Sequence, residues 1–129
     1  MRGKLLLIAA VGAGVLVAAA SAASLDLVRG TEGADTLNGT AGPDLIYGYQ
    51  GSDIIRAHDG NDLVWAGQGN DVLHALADDN QPDILDCGPG YDVAYVIVHD
   101  PARFRGCEQI IRLTPEEATA LAAANDDNS

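Results

Sequence analysis

With 129 residues, 47% hydrophobic side chains and two cysteines, the chain has room for one small domain. Its 19 acidic residues outweigh seven basic ones, a net charge of −12, which opposes binding to nucleic-acid phosphates or to an anionic membrane surface. Acidic composition often accompanies disorder, but here the acids are phased with glycines and aliphatic residues, which argues for cation sites.

Residues 1–23 read as a signal peptide. Arg2 and Lys4 form a positive n-region, Leu5 to Ala20 is an uncharged apolar run, and Ala20-Ser21-Ala22-Ala23-Ser24 offers cleavage after Ala22 or Ala23. An uncleaved anchor is the alternative, because Leu5 to Ala23 is long enough to span a bilayer. The richness in Ala and Gly, with no basic stop-transfer cluster after the run, favours cleavage and a secreted, extracellular protein. Without Arg2 and Lys4 the remaining 106 residues keep five arginines against 19 acids, a net charge of −14. Ser24 to Arg29 alternates apolar and polar residues, as an entry strand or an N-terminal cap would.

From Gly30 to His74 the chain consists of five consecutive nonapeptides: GTEGADTLN, GTAGPDLIY, GYQGSDIIR, AHDGNDLVW and AGQGNDVLH. Glycine recurs at Gly33, Gly42, Gly51, Gly60 and Gly69. Aspartate recurs at Asp35, Asp44, Asp53, Asp62 and Asp71, and an aliphatic residue at Leu37, Ile46, Ile55, Val64 and Leu73. Triplets such as Asp-Leu-Ile suit short strands, and glycine permits the positive-φ conformations that turn the chain between them. Such a strand is too short to stand alone, but stacked units bury a continuous aliphatic column. A period of nine is too short for a helix-turn-helix unit and fits a β-solenoid. The recurring glycine and Pro43 argue against a helical reading.

The aspartates decide the chemistry. In a parallel stack, equivalent residues of neighbouring turns lie about 5 Å apart. Two carboxylates at that distance repel by about 0.8 kcal/mol in water and about 3 kcal/mol at an effective dielectric of about 20. A divalent cation between them reverses the sign. Calcium accepts roughly six to eight oxygens, from carboxylates and backbone carbonyls, in flexible geometry, whereas magnesium prefers a tight octahedron and its own waters. Zinc would want His or Cys, which these columns lack.

On these residues the chain resembles the RTX (haemolysin-type) calcium-binding proteins, whose repeat is G-G-x-G-x-D-(x)-aliphatic-x. The resemblance implies an all-β fold, a parallel β-roll (a β-solenoid) in which two nonapeptides make one turn and Ca2+ sits between the loops on each side. It pairs Asp35 with Asp53 and Asp53 with Asp71 on one side, and Asp44 with Asp62 on the other. It assigns the remaining ligands to loop carbonyls near Gly30, Glu32, Gly33, Gly39, Ala41, Gly42, Gly48, Gln50, Gly51, Ala57, Asp59, Gly60, Ala66, Gln68 and Gly69. Large proteins of the family carry a C-terminal export signal; the N-terminal one here points to a small secreted bacterial form. The chain departs from the pattern at Thr31, Thr40, Tyr49 and His58, which replace the second glycine, and at Ala57 and Ala66, which replace the first. Pro43 stands where Asn61 and Asn70 fit more naturally, and these changes are expected to strain individual loops.

After His74 the period breaks. Ala75 to Pro82 is an irregular loop, and Asp83 follows Asp71 by 12 residues, the nine-residue step plus a three-residue insertion. CGPGYDVAY restores the step at Asp92, so the roll is expected over 24–95, with Asp62–Asp83 and Asp71–Asp92 as candidate further pairs. Asp78, Asp79 and Asp86 read as solvated loop charges. Tyr91 to His99 is the longest strand signal. Cys87 and Cys107 are the only cysteines, and in a secreted chain an even pair reads as one disulfide. Closing that loop contributes about 3 kcal/mol and ties residues 96–113 to the roll as a C-terminal cap. Thr114-Pro115-Glu116-Glu117 combines a Thr N-cap, Pro at the first position and a capping-box Glu, so a short helix is expected over 114–124 and a disordered tail over 125–129.

The sequence reads as not an enzyme. His58, His74 and His99 are candidate acid–base groups, but the mature serines are Ser24, Ser52 and Ser129, with Ser21 depending on cleavage, and no triad, phosphate loop or metallohydrolase pattern accompanies them. Two function classes remain. The first is a secreted calcium-binding protein whose folding is stabilised or triggered by extracellular Ca2+. The second is a cell-surface interaction or adhesion module in which Ca2+ is purely structural. Its motivating residues are Leu45, Ile54, Leu63 and Val72, which follow the aspartates and would point outward beside Tyr47 and Trp65. They serve either as a face for a protein partner or self-association, or as a surface covered by flanking strands or the cap.

Overall fold

The computed structural model describes residues 24–126, so the expected signal peptide and residues 127–129 of the expected tail lie outside the described residues. The chain forms β1 (Asp26–Arg29), β2 (Thr36–Asn38), β3 (Asp44–Tyr47), β4 (Ile54–Arg56), β5 (Leu63–Trp65), β6 (Val72–Ala75), β7 (Ile84–Asp86), β8 (Val93–Ile97), β9 (Arg103–Arg105), β10 (Gln109–Leu113) and α1 (Pro115–Asp126). The odd strands make one five-stranded sheet in the order β1-β3-β5-β7-β9, and the even strands a second in the order β10-β8-β6-β4-β2. All pairings are parallel. Consecutive nonapeptides therefore alternate between sheets, and the fold is the parallel β-roll.

Register records the turn length. Leu45 pairs with Leu63 and Ile54 with Val72, a step of 18 residues. Across the irregular loop Leu63 pairs with Ile84 and Val72 with Val93, a step of 21. The three inserted residues are thus absorbed outside the ladders, and the aliphatic column continues unbroken.

Strand alternation sets which side chains fill the roll. Each aspartate, the aliphatic residue two beyond it and the residue two beyond that all face inward. Ile46, Ile55, Val64, Leu73 and Leu85 are at most 1% exposed. Ala57 and Ala66, expected to strain their loops, instead bury their methyls in the same core, with Ala75 and Cys87 at equivalent places. The fourth-position glycines Gly51, Gly60 and Gly69 answer a different need. Gly60 has φ +123° and Gly69 φ +131°, and a Cβ on Gly60 would stand 2.5 Å from the Gly42 carbonyl oxygen of the turn before. Only glycine lets these loops stack at strand spacing.

The outward residues correct one expectation. Leu45 and Leu63 lie on the odd sheet, Ile54 and Val72 on the even one. They form no single face, because successive units turn their outer surfaces in opposite directions. On the odd sheet Tyr47 stacks on Trp65 with ring centroids 5.1 Å apart, and on the even sheet His74 stacks on Tyr95 at 5.1 Å.

The segment expected as a cap is built as the last turn of the roll. β9 pairs with β7, placing Phe104 beside Leu85, and β10 pairs with β8. Cys87 and Cys107 form the expected disulfide, with Cα atoms 5.1 Å apart. The helix begins as its residues dictate: the Glu117 N–H donates to Thr114 Oγ1 at 3.3 Å, and the Thr114 N–H to Glu117 Oε2 at 2.8 Å. It packs on β10, buries Ala118, and runs to Asp126 rather than ending at 124, because the alanine run holds nothing to stop it. Among the described residues no helix is long and apolar enough to cross a membrane.

Candidate metal centre

Two columns of aspartates stand where the loops enter the strands. Asp26, Asp44, Asp62 and Asp83 lead into odd strands, and Asp35, Asp53, Asp71 and Asp92 into even ones. Asp44, Asp53, Asp62, Asp71, Asp83 and Asp92 are at most 1% exposed, and Asp35 at the open end is half-buried.

Each column is held by one repeated contact. The main-chain N–H of an aspartate donates to Oδ1 of the aspartate one turn on. The distances are 2.8 Å for Asp35 to Asp53, 2.9 Å for Asp44 to Asp62 and 2.8 Å for Asp53 to Asp71. The same bond joins Asp62 to Asp83 at 2.9 Å and Asp71 to Asp92 at 2.7 Å, on either side of the insertion. All five aspartate pairs read from the sequence are thus stacked neighbours.

That contact uses one carboxylate oxygen. The other, Oδ2, is buried without a hydrogen-bond partner in Asp53, Asp62, Asp71 and Asp92. A buried, unpaired carboxylate is costly unless it takes a proton or meets a cation. Burial therefore pushes the Asp62 carboxyl up to about 8, with the charges of Asp83, Asp44 and Asp79 adding to it against the bond from the Asp44 amide. Burial likewise raises Asp83 to about 7 and Asp71 to about 6, and raises Asp53 and Asp92.

The residues fit a hard cation. A Cβ on Gly30 would lie 2.7 Å from both Asp35 Oδ2 and the Gly48 carbonyl oxygen; on Gly39, 2.5 Å from both Asp44 Oδ2 and the Ala57 carbonyl oxygen. The first glycine thus leaves open a space that a carboxylate and the next turn's carbonyl both face. Among the described residues no three His, Cys, Asp or Glu side chains converge in a metal-binding group. An ion here would draw most of its oxygens from the backbone, a donor set that suits calcium and not zinc.

The departures from the motif have local consequences. Thr31, in the second-glycine place, donates its N–H to Asp35 Oδ2 at 2.6 Å, and Thr40 does the same to Asp44 Oδ2 at 2.6 Å. The Asp35 and Asp44 carboxylates are therefore satisfied within their own loops. Tyr49 and His58, in the same place, adopt φ 76° and 69°, the conformation glycine would take freely.

Several further acidic residues play parts beyond the seven aspartates read as ligands. Asp26 pairs in register with Asp44, and it lies nine residues before Asp35, a signal present in the sequence. Asp79 is held rather than solvated: its Oδ2 accepts the Gly60 N–H at 2.7 Å and its Oδ1 the Gln81 N–H at 2.9 Å. Asp86 lies 3.8 Å from Arg105, and Asp78 is exposed. Asp100 is buried with Oδ2 unpartnered, and Glu108 takes an aspartate's place one turn beyond Asp92; neither falls on the period.

His58 and His74 share a cleft of about 180 Å³ with Arg56, Asp59 and Leu121, but no Ser, Thr or Cys lines it. Burial lowers the His74 imidazole below its usual range, and Arg56 adds to the shift.

The family model for the RTX calcium-binding nonapeptide repeat, in four copies, matches residues 29–64 and again 47–82. The two matches are offset by 18 residues, which is one turn of the roll. The chain thus carries RTX calcium-binding repeats, which are typically structural and calcium-binding. No curated protein and no solved structure matched the chain.

Proposed function

We propose that this RTX-repeat chain is a secreted calcium-binding protein whose folding is stabilised or triggered by extracellular Ca2+. The observation that carries the reading is the row of buried, unpartnered Oδ2 atoms on Asp53, Asp62, Asp71 and Asp92. The proposed carboxylate ligands are Asp35, Asp44, Asp53, Asp62, Asp71, Asp83 and Asp92, with loop carbonyls completing each shell. Secretion is supported by the apolar N-terminal run and by a disulfide suited to an oxidising compartment.

Sharing of ligands gives the test. Asp71 stands between Asp53 and Asp92 and so borders two gaps. Calorimetric titration of Asp71→Asn should show about two fewer calcium ions than the wild type, since each gap loses one of its two carboxylates. A wild type that takes up no calcium, or a variant with unchanged stoichiometry, would sink the assignment.

The second reading, an interaction module, is favoured by the outer surface of the odd sheet. Leu27, Trp65 and Ile84 are exposed there, with Tyr47 stacked on Trp65. It expects concentration-dependent association in analytical ultracentrifugation at saturating calcium, abolished by Trp65→Ser. A strict monomer across that concentration range with no captured partner contradicts it.

A further inference from the structure

Asp92 is the last aspartate of the nonapeptide pattern, yet the roll closes another gap above it. The Asp92 N–H donates to Glu108 Oε2 at 2.8 Å, as the Asp53 and Asp71 amides do to the aspartates one turn on at 2.8 and 2.7 Å. The Gln109 N–H donates to the Asp92 carbonyl at 3.0 Å, as the Val93 N–H does to that of Asp71 at 2.9 Å. Gly106, with φ 71°, lies over Gly88, its Cβ place 3.2 Å from the Gly88 carbonyl oxygen. Residues 105–108 are therefore a shortened copy of the repeat loop. From Asp92 to Glu108 is 16 residues against 18 for a regular turn, yet Gln109 pairs in register with Val93, so Glu108 enters the column where an aspartate would.

Asp92 is fully buried and its Oδ2 has no partner. At the equivalent place two column members earlier, Asp53 Oδ2 faces the Ala66 carbonyl of the next turn. The arginine nearest in sequence, Arg105, is turned to Asp86 at 3.8 Å, so no described ion pair neutralises Asp92 or Glu108. The disulfide sits in the same gap. It joins Cys87, the first residue of the loop that carries Asp92, to Cys107, the neighbour of Glu108.

We infer that the loops 87–92 and 105–108 hold a calcium ion outside the nonapeptide repeats, with Asp92 and Glu108 as its carboxylate ligands, and that the Cys87–Cys107 disulfide keeps this site formed. The inference rests on the calcium reading of the columns. Glu108 is exposed where the repeat aspartates are buried, so this ion is the one most open to solvent. Opening the disulfide frees the loop that carries Glu108 and costs this site its preorganisation, while the gaps below it keep theirs. The last ion thereby becomes sensitive to the redox state of the surroundings.

Native mass spectrometry and calorimetry on the full described chain, with calcium alone as the probe, test it. Glu108→Gln, disulfide intact, should bind one ion fewer than the wild type and leave the other affinities unchanged. Cys87→Ser with Cys107→Ser should weaken that same single ion at least tenfold. Should the double variant fail to fold, Glu108→Gln decides alone. If Glu108→Gln keeps the wild-type number and affinities, or loses more than one ion, the inference falls while the calcium reading stands. A wild type that binds no calcium overturns both.

Discussion

Chelation of calcium at pH 7.5 is expected to convert the β-rich circular dichroism spectrum into that of a largely disordered chain. Five gaps are bridged by an amide-to-carboxylate bond between stacked aspartates, and six of the seven aspartates that border them are almost fully buried. Left ionised without a cation, they repel along each column in a chain that already carries a large negative charge. Calcium at about ten times its Kd contributes about 1.4 kcal/mol per site, so five sites supply about 7 kcal/mol. That is as large as the whole stability of a typical small domain, about 5–15 kcal/mol. Readdition of calcium should restore the spectrum, and an equal concentration of magnesium should not, because the carbonyl-rich gaps ask for more oxygens than its octahedron accepts. A spectrum that stays folded in chelator, with no calcium uptake, contradicts the argument.

How far the sequence disclosed this architecture follows from what periodicity can carry. Equal spacing made the regular units legible: a glycine, an aspartate and an aliphatic residue at a step of nine imply stacked turns, and the aspartate pairs follow. Even the three-residue insertion before Asp83 was readable, because the step resumed at Asp92. The signal fails where loop length changes without resumption. Glu108 enters its column after 16 residues, and only the hydrogen bond from the Asp92 amide reveals the match. Asp79 and Asp100 are placed by loop shape and not by strand register, so no count along the chain finds them. The misreading of Ala57 and Ala66 has another source. Motif comparison marks them as lost glycines, whereas strand alternation turns their methyls into the core, where they pack with Ile55, Val64 and Leu73. The apolar face failed for a related reason, since a column of outward residues in sequence splits between two sheets that face apart.

Acid should replace calcium as a folding agent. The folded carboxyls of Asp62, Asp83 and Asp71 lie at about 8, 7 and 6, raised chiefly by burial, against about 3.9 in an unfolded chain. A folded state that holds protons more tightly is favoured below the unfolded value, and that advantage is lost as pH rises through the folded values. The calcium-free chain should therefore gain β structure on acidification from pH 8 to pH 5, the reverse of ordinary acid denaturation. With calcium present the same protons must leave before the ion binds. The Asp62–Asp83 gap displaces two protons held at about 8 and 7, so its affinity should fall at least tenfold between pH 8 and pH 6. The Asp53–Asp71 gap, whose Asp71 carboxyl lies at about 6, should weaken less over that range. Titrations at both pH values in Asp71→Asn, which keeps the Asp62 column, and in Asp62→Asn, which keeps the Asp71 column, separate the two. Equal pH sensitivity in the two variants, or loss of β structure from the calcium-free chain on acidification, would show that buried unpaired carboxylates do not govern this roll.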